Sequence, residues 1–130
     1  MRPRVGVGLV VRRGDELLLM RRRRDHGHGT WSAPGGYLEA GEEPAACAVR
    51  EATEETRVTV GEPRFVGVTN DVFPEEGRHS VTLCFEVEYV AGTPVPDPDE
   101  VAEVAWFPRE RLPEPLFPPM RRILVGETVR

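Results

Sequence analysis

The chain of 130 residues contains no lysine: all 17 of its basic residues are arginine. That excludes chemistry built on a side-chain amine, such as a Schiff base or the lysine of a P-loop. Cysteine is scarce. Cys47 and Cys84 are the two present, and they fit neither a CxxC nor a zinc-ligand spacing. They read as reduced thiols used as small apolar residues. No stretch approaches the roughly 18–20 apolar residues of a membrane span. Behind Met1-Arg2-Pro3-Arg4 there is no leader-like apolar run either, because Arg12 and Arg13 interrupt it. The expected location is therefore the cytoplasm, with no membrane partner. An excess of positive charge is missing too. Seventeen basic against 22 acidic residues leaves a net charge of −5, a poor basis for gripping a nucleic-acid backbone. No nucleic-acid polymer is expected as a partner. Small phosphates remain open, through local arginines or through metals held by carboxylates. Gly6-x-Gly8 lacks a third glycine at Val11, so there is no dinucleotide fingerprint.

What is present suffices for one core. Apolar residues make up 39% of the chain, and the length suits one domain spanning residues 1–130. Val5, Val7, Leu9 and Val11 alternate with Gly6, Gly8, Val10 and Arg12, which predicts a strand buried mainly on one face. A turn at 13–16 leads into a returning strand over 17–22. Residues 23–32 read as a loop, 33–36 as a glycine turn and 37–40 as a short strand. A helix follows from Pro44 to about Thr56, with Glu42 and Glu43 near its positive end. Strands are expected over 58–69, 81–89 and 103–107, with a turn at 73–77 and a stiff three-proline loop at 92–99. A second helix is expected over 116–125. The order β-β-α-β-β-β-α gives an α/β (α+β) class, a mixed sheet with helices packed on it.

The first helix carries the chemistry. At about 100° per residue, Glu51, Glu54 and Glu55 share an arc of about 100°, with Ala45, Val49, Ala52 and Thr56 on the other side. Three like charges on one face repel. A solvated acidic face explains such a pattern in most helices. A divalent cation explains it as well, and hard oxygen ligands favour magnesium or manganese.

The flanking residues decide. Gly36, Glu42, Arg50-Glu51, Glu54-Glu55 and Val58 stand at the spacing G-x5-E-x7-R-E-U-x-E-E-x-G-U, which resembles the Nudix box. Six of its seven fixed Gly, Glu and Arg positions match, a chance event of about 10⁻⁴ over the chain. Trp31 to Gly36, Glu103, Trp106-Phe107 and Leu112-Pro113 extend the resemblance to about residues 4–125. Two positions depart from the pattern: Arg57 replaces the glycine that would cap the helix, and Ala52 replaces a bulky aliphatic.

The resemblance implies the Nudix fold, an α/β/α sandwich around a mixed sheet. It implies magnesium-dependent hydrolysis of a nucleoside diphosphate linked to another group, with manganese as a substitute. The ligands it implies are Glu51, Glu54 and Glu55, joined by the Gly35 carbonyl and by Glu100. Glu51 and Glu54, with Arg50 holding a glutamate in position, are implied as the catalytic group. Glu42 would support the loop-to-helix geometry.

For substrate contacts the candidates are Arg21 or Arg22 for phosphates, and Gly36, Asn70 and Phe73 nearby, Phe73 being equally suited to the core. His26 and His28 lack a third ligand and read as a flexible substrate-side loop. The stretch from Phe73 to Leu83 is similar to MutT-like members. A (deoxy)nucleoside triphosphate, oxidised or not, is the expected substrate, cleaved to monophosphate and pyrophosphate. The alternatives are an ADP-ribose, nucleotide-sugar or dinucleoside polyphosphate hydrolase, and a non-catalytic nucleotide sensor. Relatives of this kind often form homodimers.

Overall fold

The computed structural model describes residues 2–124. Strands β1 (Arg4–Arg13), β2 (Glu16–Arg22), β3 (Trp31–Ser32) and β4 (Gly35–Tyr37) precede helix α1 (Pro44–Thr56). Then come β5 (Thr59–Val60), β6 (Arg64–Phe73), a 3-10 turn (Pro74–Glu76), β7 (Arg78–Ala91), β8 (Val101–Pro108) and α2 (Pro118–Leu124). In the sheet β1 runs parallel to β7. The pairs β1–β2, β1–β4, β2–β3, β2–β8, β5–β7 and β6–β7 are antiparallel. The mixed sheet expected from the sequence is therefore present. No described helix is long and apolar enough to cross a membrane.

Several expectations change. β1 is buried on both faces, not mainly one. Val7, Leu9 and Val11 join Leu18 in a cluster that packs on Cys47, Ala48 and Ala52 of α1. Val10, Leu17 and Leu19 face the other way, onto Trp31 and onto Met120 of α2. Period-2 alternation sends neighbouring side chains to opposite faces, and a helix covers each, which makes the α/β/α sandwich. Trp31 and Ser32, expected in a loop, pair with Arg21 and Met20 as a strand. The short strand lies at 35–37 instead of 37–40, because the backbones of Gly35 and Gly36 sit against β1. The expected strand over 58–69 divides into β5 and β6, which pair separately with β7. The last residue expected in the second helix, Val125, lies outside the described residues. Cys47 and Cys84 are free and buried, as expected.

Helix α1 ends at Arg57 in the left-handed conformation, φ 65° and ψ 14°, its N–H donating to the Thr53 carbonyl. An arginine there carries a cost of about 1–2 kcal/mol that glycine avoids. Glycine loses more backbone entropy on folding, which offsets part of the gain. Arg57→Gly is expected to raise unfolding stability by about 0.5–1 kcal/mol. Urea denaturation checks this, and a loss of stability would mean the arginine side chain is needed where it lies.

Candidate active site

Two glycines set the approach of the sheet to α1. Gly35 and Gly36 pair with Gly8 and Val7 of β1. A Cβ at Gly35 would lie 2.1 Å from the Val7 carbonyl oxygen, and one at Gly36 would lie 2.6 Å from Cδ of Glu51. Both methyl-free positions are therefore required by close contact, one with backbone and one with a carboxylate.

Glu51 and Glu55 lie one helical turn apart and face these glycines. Glu55 is 0% exposed. The Gly35 N–H donates to its Oε1 at 2.8 Å. Its Oε2 is 3.5 Å from Nη2 of Arg24, which also donates to Oε2 of Glu100 at 2.5 Å. Burial pushes the Glu55 carboxyl up to about 8, against the opposing pull of the Gly35 N–H and Arg24. Burial also raises Glu51, against the attraction of Arg50.

Arg50 organises the other half of the cluster. Its Nε and Nη2 grip both oxygens of Glu42, at 3.0 and 3.1 Å. Its Nη1 lies 3.2 Å from Glu51 and 3.4 Å from Glu54. That fork holds the Glu42 carboxyl down at about 2. Glu42 also accepts the Glu39 N–H, which ties the preceding loop to the helix. The three glutamates of the helix thus share one face but not one environment: Glu55 is buried, Glu51 mostly so, and the Glu54 side chain is 57% exposed. Among the described residues no three metal-ligating side chains yet converge. Arg24 stands between Glu55 and Glu100 instead. A cation already sits among oxygen-only donors, one of them fully buried, and such a donor set fits magnesium or manganese.

A cavity of about 340 Å³ opens beside Gly35 and Gly36. Arg22, Arg24 and Arg78 supply positive charge to its wall, and Val10, Phe73, Phe117 and Met120 supply apolar surface. Arg22 donates from Nε to the His26 carbonyl at 3.0 Å and lies 4.1 Å over the Phe117 ring. Burial, aided by Arg24, lowers its pKa to about 10. Neighbouring Arg21 pairs with Glu103 of β8 at 3.0 Å and does not line the cavity. Alternation along β2 allows only one of the two to face it. Phe73 lines the cavity. Asn70 does not: it is exposed on β6, 2.6 Å from His79 Nε2.

His26, expected in a flexible loop, is buried with Nδ1 2.8 Å from Glu76 and stands edge-on to Phe73 and Phe117. Arg24, Ser32, Arg78 and Phe117 were not singled out by the sequence. Arg24 was hidden in a run of four arginines beyond the regular alternation of β2. Ser32 is 3% exposed, lines the cavity, and its Oγ has no partner among the described residues. Its one sequence signal is a polar residue between Trp31 and the glycine turn.

Comparison with known proteins bears on this arrangement. The family model described as NUDIX domain matches residues 2–125. The NAD-capped RNA hydrolase NudC of Pseudomonas aeruginosa is 42% identical over 113 residues, 85% of this chain and 39% of that protein. The protein of the same name from Edwardsiella ictaluri is 36% identical over 124 residues, 93% of this chain and 46% of its own length. The chain thus spans less than half the length of these curated relatives. Among solved structures, a MutT NUDIX hydrolase from Burkholderia pseudomallei superposes with a TM-score of 0.91 at 29% identity, covering 100% of both chains. The MutT protein from Methanosarcina mazei gives 0.83 at 25% identity, covering 95% of this chain and 91% of its own.

Proposed function

The chain belongs to the Nudix hydrolase family, and from that premise we propose that it hydrolyses a diphosphate linkage in a (deoxy)nucleoside triphosphate, releasing monophosphate and pyrophosphate. The observation that carries this reading is the fully buried Glu55, held by the Gly35 N–H at the edge of a cavity with arginines in its wall. Glu51, Glu54 and Glu55, with Glu100 and the Gly35 carbonyl, would hold magnesium or manganese. A cation there would neutralise charge on the phosphate oxygens and acidify a water.

The chain's own residues do the rest. Arg22 and Arg78 face the cavity as guanidinium donors matched to phosphate geometry. Phe73 and Phe117 offer apolar ring surface to a base, and the unpartnered Ser32 hydroxyl is available to its polar edge. Arg50 fixes Glu51 and Glu54 together, so that a carboxylate is positioned to take a proton from the attacking water. At about 340 Å³ the cavity is at the small end of ligand sites, which run roughly 300–1,000 Å³. It suits one nucleoside rather than two.

A second reading has its own support. The curated relatives are named for NAD-capped RNA, a dinucleotide attached to a polymer, and this chain matches them at up to 42% identity. On that reading one nucleoside enters the cavity and the rest of the substrate lies outside, and RNA joins small nucleotides as a partner.

Product release with magnesium across a panel separates the two. The panel comprises 8-oxo-dGTP, the normal nucleoside triphosphates, ADP-ribose, diadenosine polyphosphates, NAD and NAD-capped RNA, with Glu54→Gln alongside. Pyrophosphate from a triphosphate, lost in the variant, is the expected result. Turnover of NAD or capped RNA alone would establish the second reading. No turnover of anything would leave a nucleotide sensor.

A further inference from the structure

We propose that Arg24 is a built-in occupant of the cation position, which a divalent metal must displace and which then turns to the substrate's phosphates. The inference deepens the reading above and rests on the carboxylate cluster being the metal site.

Acidic side chains and one arginine meet here. Arg24 lies between Glu55 and Glu100, and Glu51 stands one helical turn from Glu55. Its Nη2 contacts Oε2 of Glu55 and Oε2 of Glu100, two of the carboxylates that would hold a divalent metal. A divalent ion beside that guanidinium would face like-charge repulsion at a few ångströms, so the two cannot share the position.

The Glu55 carboxylate and the backbone that carries Glu100 have anchors other than Arg24. Glu55 is anchored by the Gly35 N–H at 2.8 Å. The loop carrying Glu100 is tied down independently, since the Arg23 N–H donates to the Glu100 carbonyl at 3.0 Å and the Arg23 guanidinium to the Pro98 carbonyl at 2.6 Å. When Arg24 leaves, Glu55 stays anchored and the loop that carries Glu100 stays in place. Arg24 also lines the cavity beside Arg22 and Arg78. A displaced guanidinium therefore stays among the groups facing a bound polyphosphate. Until then it pairs with the Glu100 carboxylate and borders the buried Glu55.

The test is Mn²⁺ binding to metal-free protein without nucleotide, by calorimetry, for the wild type, Arg24→Gln and Arg24→Lys. Removing a competing charge at this range is expected to tighten Mn²⁺ binding roughly tenfold or more in Arg24→Gln. Arg24→Lys, which keeps the charge, is expected to stay close to wild type. Unchanged or weaker binding in Arg24→Gln, or equally tight binding in Arg24→Lys, would overturn the proposal while leaving the metal site standing. Absence of Mn²⁺ binding in all three proteins would overturn the site itself.

A measurement on wild-type protein stands independently of the variants' folding. The Arg24 Nη–H resonances are expected to shift or broaden as Mg²⁺ is added, because Nη2 gives up its contacts with Glu55 and Glu100. Resonances unmoved at saturation would overturn displacement.

Discussion

Glu55→Gln is expected to lower turnover by about 10³-fold or more and, in the metal-free protein, to raise stability at pH 8. The two effects have one cause. Glu55 is 0% exposed, and burial lifts its carboxyl to about 8 in the folded chain. In the unfolded chain it ionises near 4.5. Between those two values the folded state holds a proton that the unfolded state has released. A raised carboxyl contributes stability that is fully present below about pH 4.5 and is lost as pH rises through about 8. Glutamine has no charge to desolvate and can still accept the Gly35 N–H, so it removes that loss. The expected gain at pH 8 is of order 1–3 kcal/mol, falling towards zero by pH 4–5. Urea unfolding of both proteins without metal, at pH 5 and pH 8, checks it. Parallel pH dependences would show that Glu55 is not held in this state. The loss of turnover follows because an amide supplies neither the charge nor the basicity that a divalent cation needs from its ligand.

Gly35→Ala and Gly36→Ala are expected to separate stability from activity, although the residues are adjacent. At Gly35 the added methyl would meet the Val7 carbonyl oxygen at 2.1 Å. That atom is backbone in β1, which is paired on both sides along much of its length, so the strand itself must move. The expected cost is about 3 kcal/mol or more, a melting temperature lower by roughly 10 °C. At Gly36 the methyl would meet Cδ of Glu51 at 2.6 Å, the far end of a side chain that can swing aside. The expected cost in stability is about 1 kcal/mol or less. The carboxylate, however, leaves its position, and a displacement of about 1 Å at a reacting group costs about 10²-fold in rate. Thermal melts and turnover of the two variants decide this. Equal stability losses, or a fully active Gly36→Ala, would show that Glu51 is not fixed by this contact.

The box residues were legible because their chemistry depends on spacing along one helix. Glu51, Glu54 and Glu55 share a face by helical periodicity alone, and Pro44 and Thr56 bound the helix where the sequence places them. The conformation of Arg57 was not legible: an arginine in place of the capping glycine leaves the helix end open, and the backbone takes the left-handed form all the same. β1 and β7 were readable from alternation, which is equally local, and β2 as the strand returning from the turn at 13–16. What alternation leaves undecided is which of two neighbouring residues faces a ligand. Arg22 lines the cavity while Arg21 pairs with Glu103, a choice set by how β2 docks on β8.

The sequence by itself thus determined the family, the helix that carries the carboxylates and the mixed sheet beneath it, because each is written in residue types at fixed local intervals. Only the tertiary structure decided that Glu55 is sealed from water and Glu54 is not, and that His26 is buried against Phe73 and Phe117. It also placed Arg24 between Glu55 and Glu100. Those residues are 31 and 76 positions away in the chain. Burial and charge pairing arise from segments brought together by packing, and no interval along the chain records them.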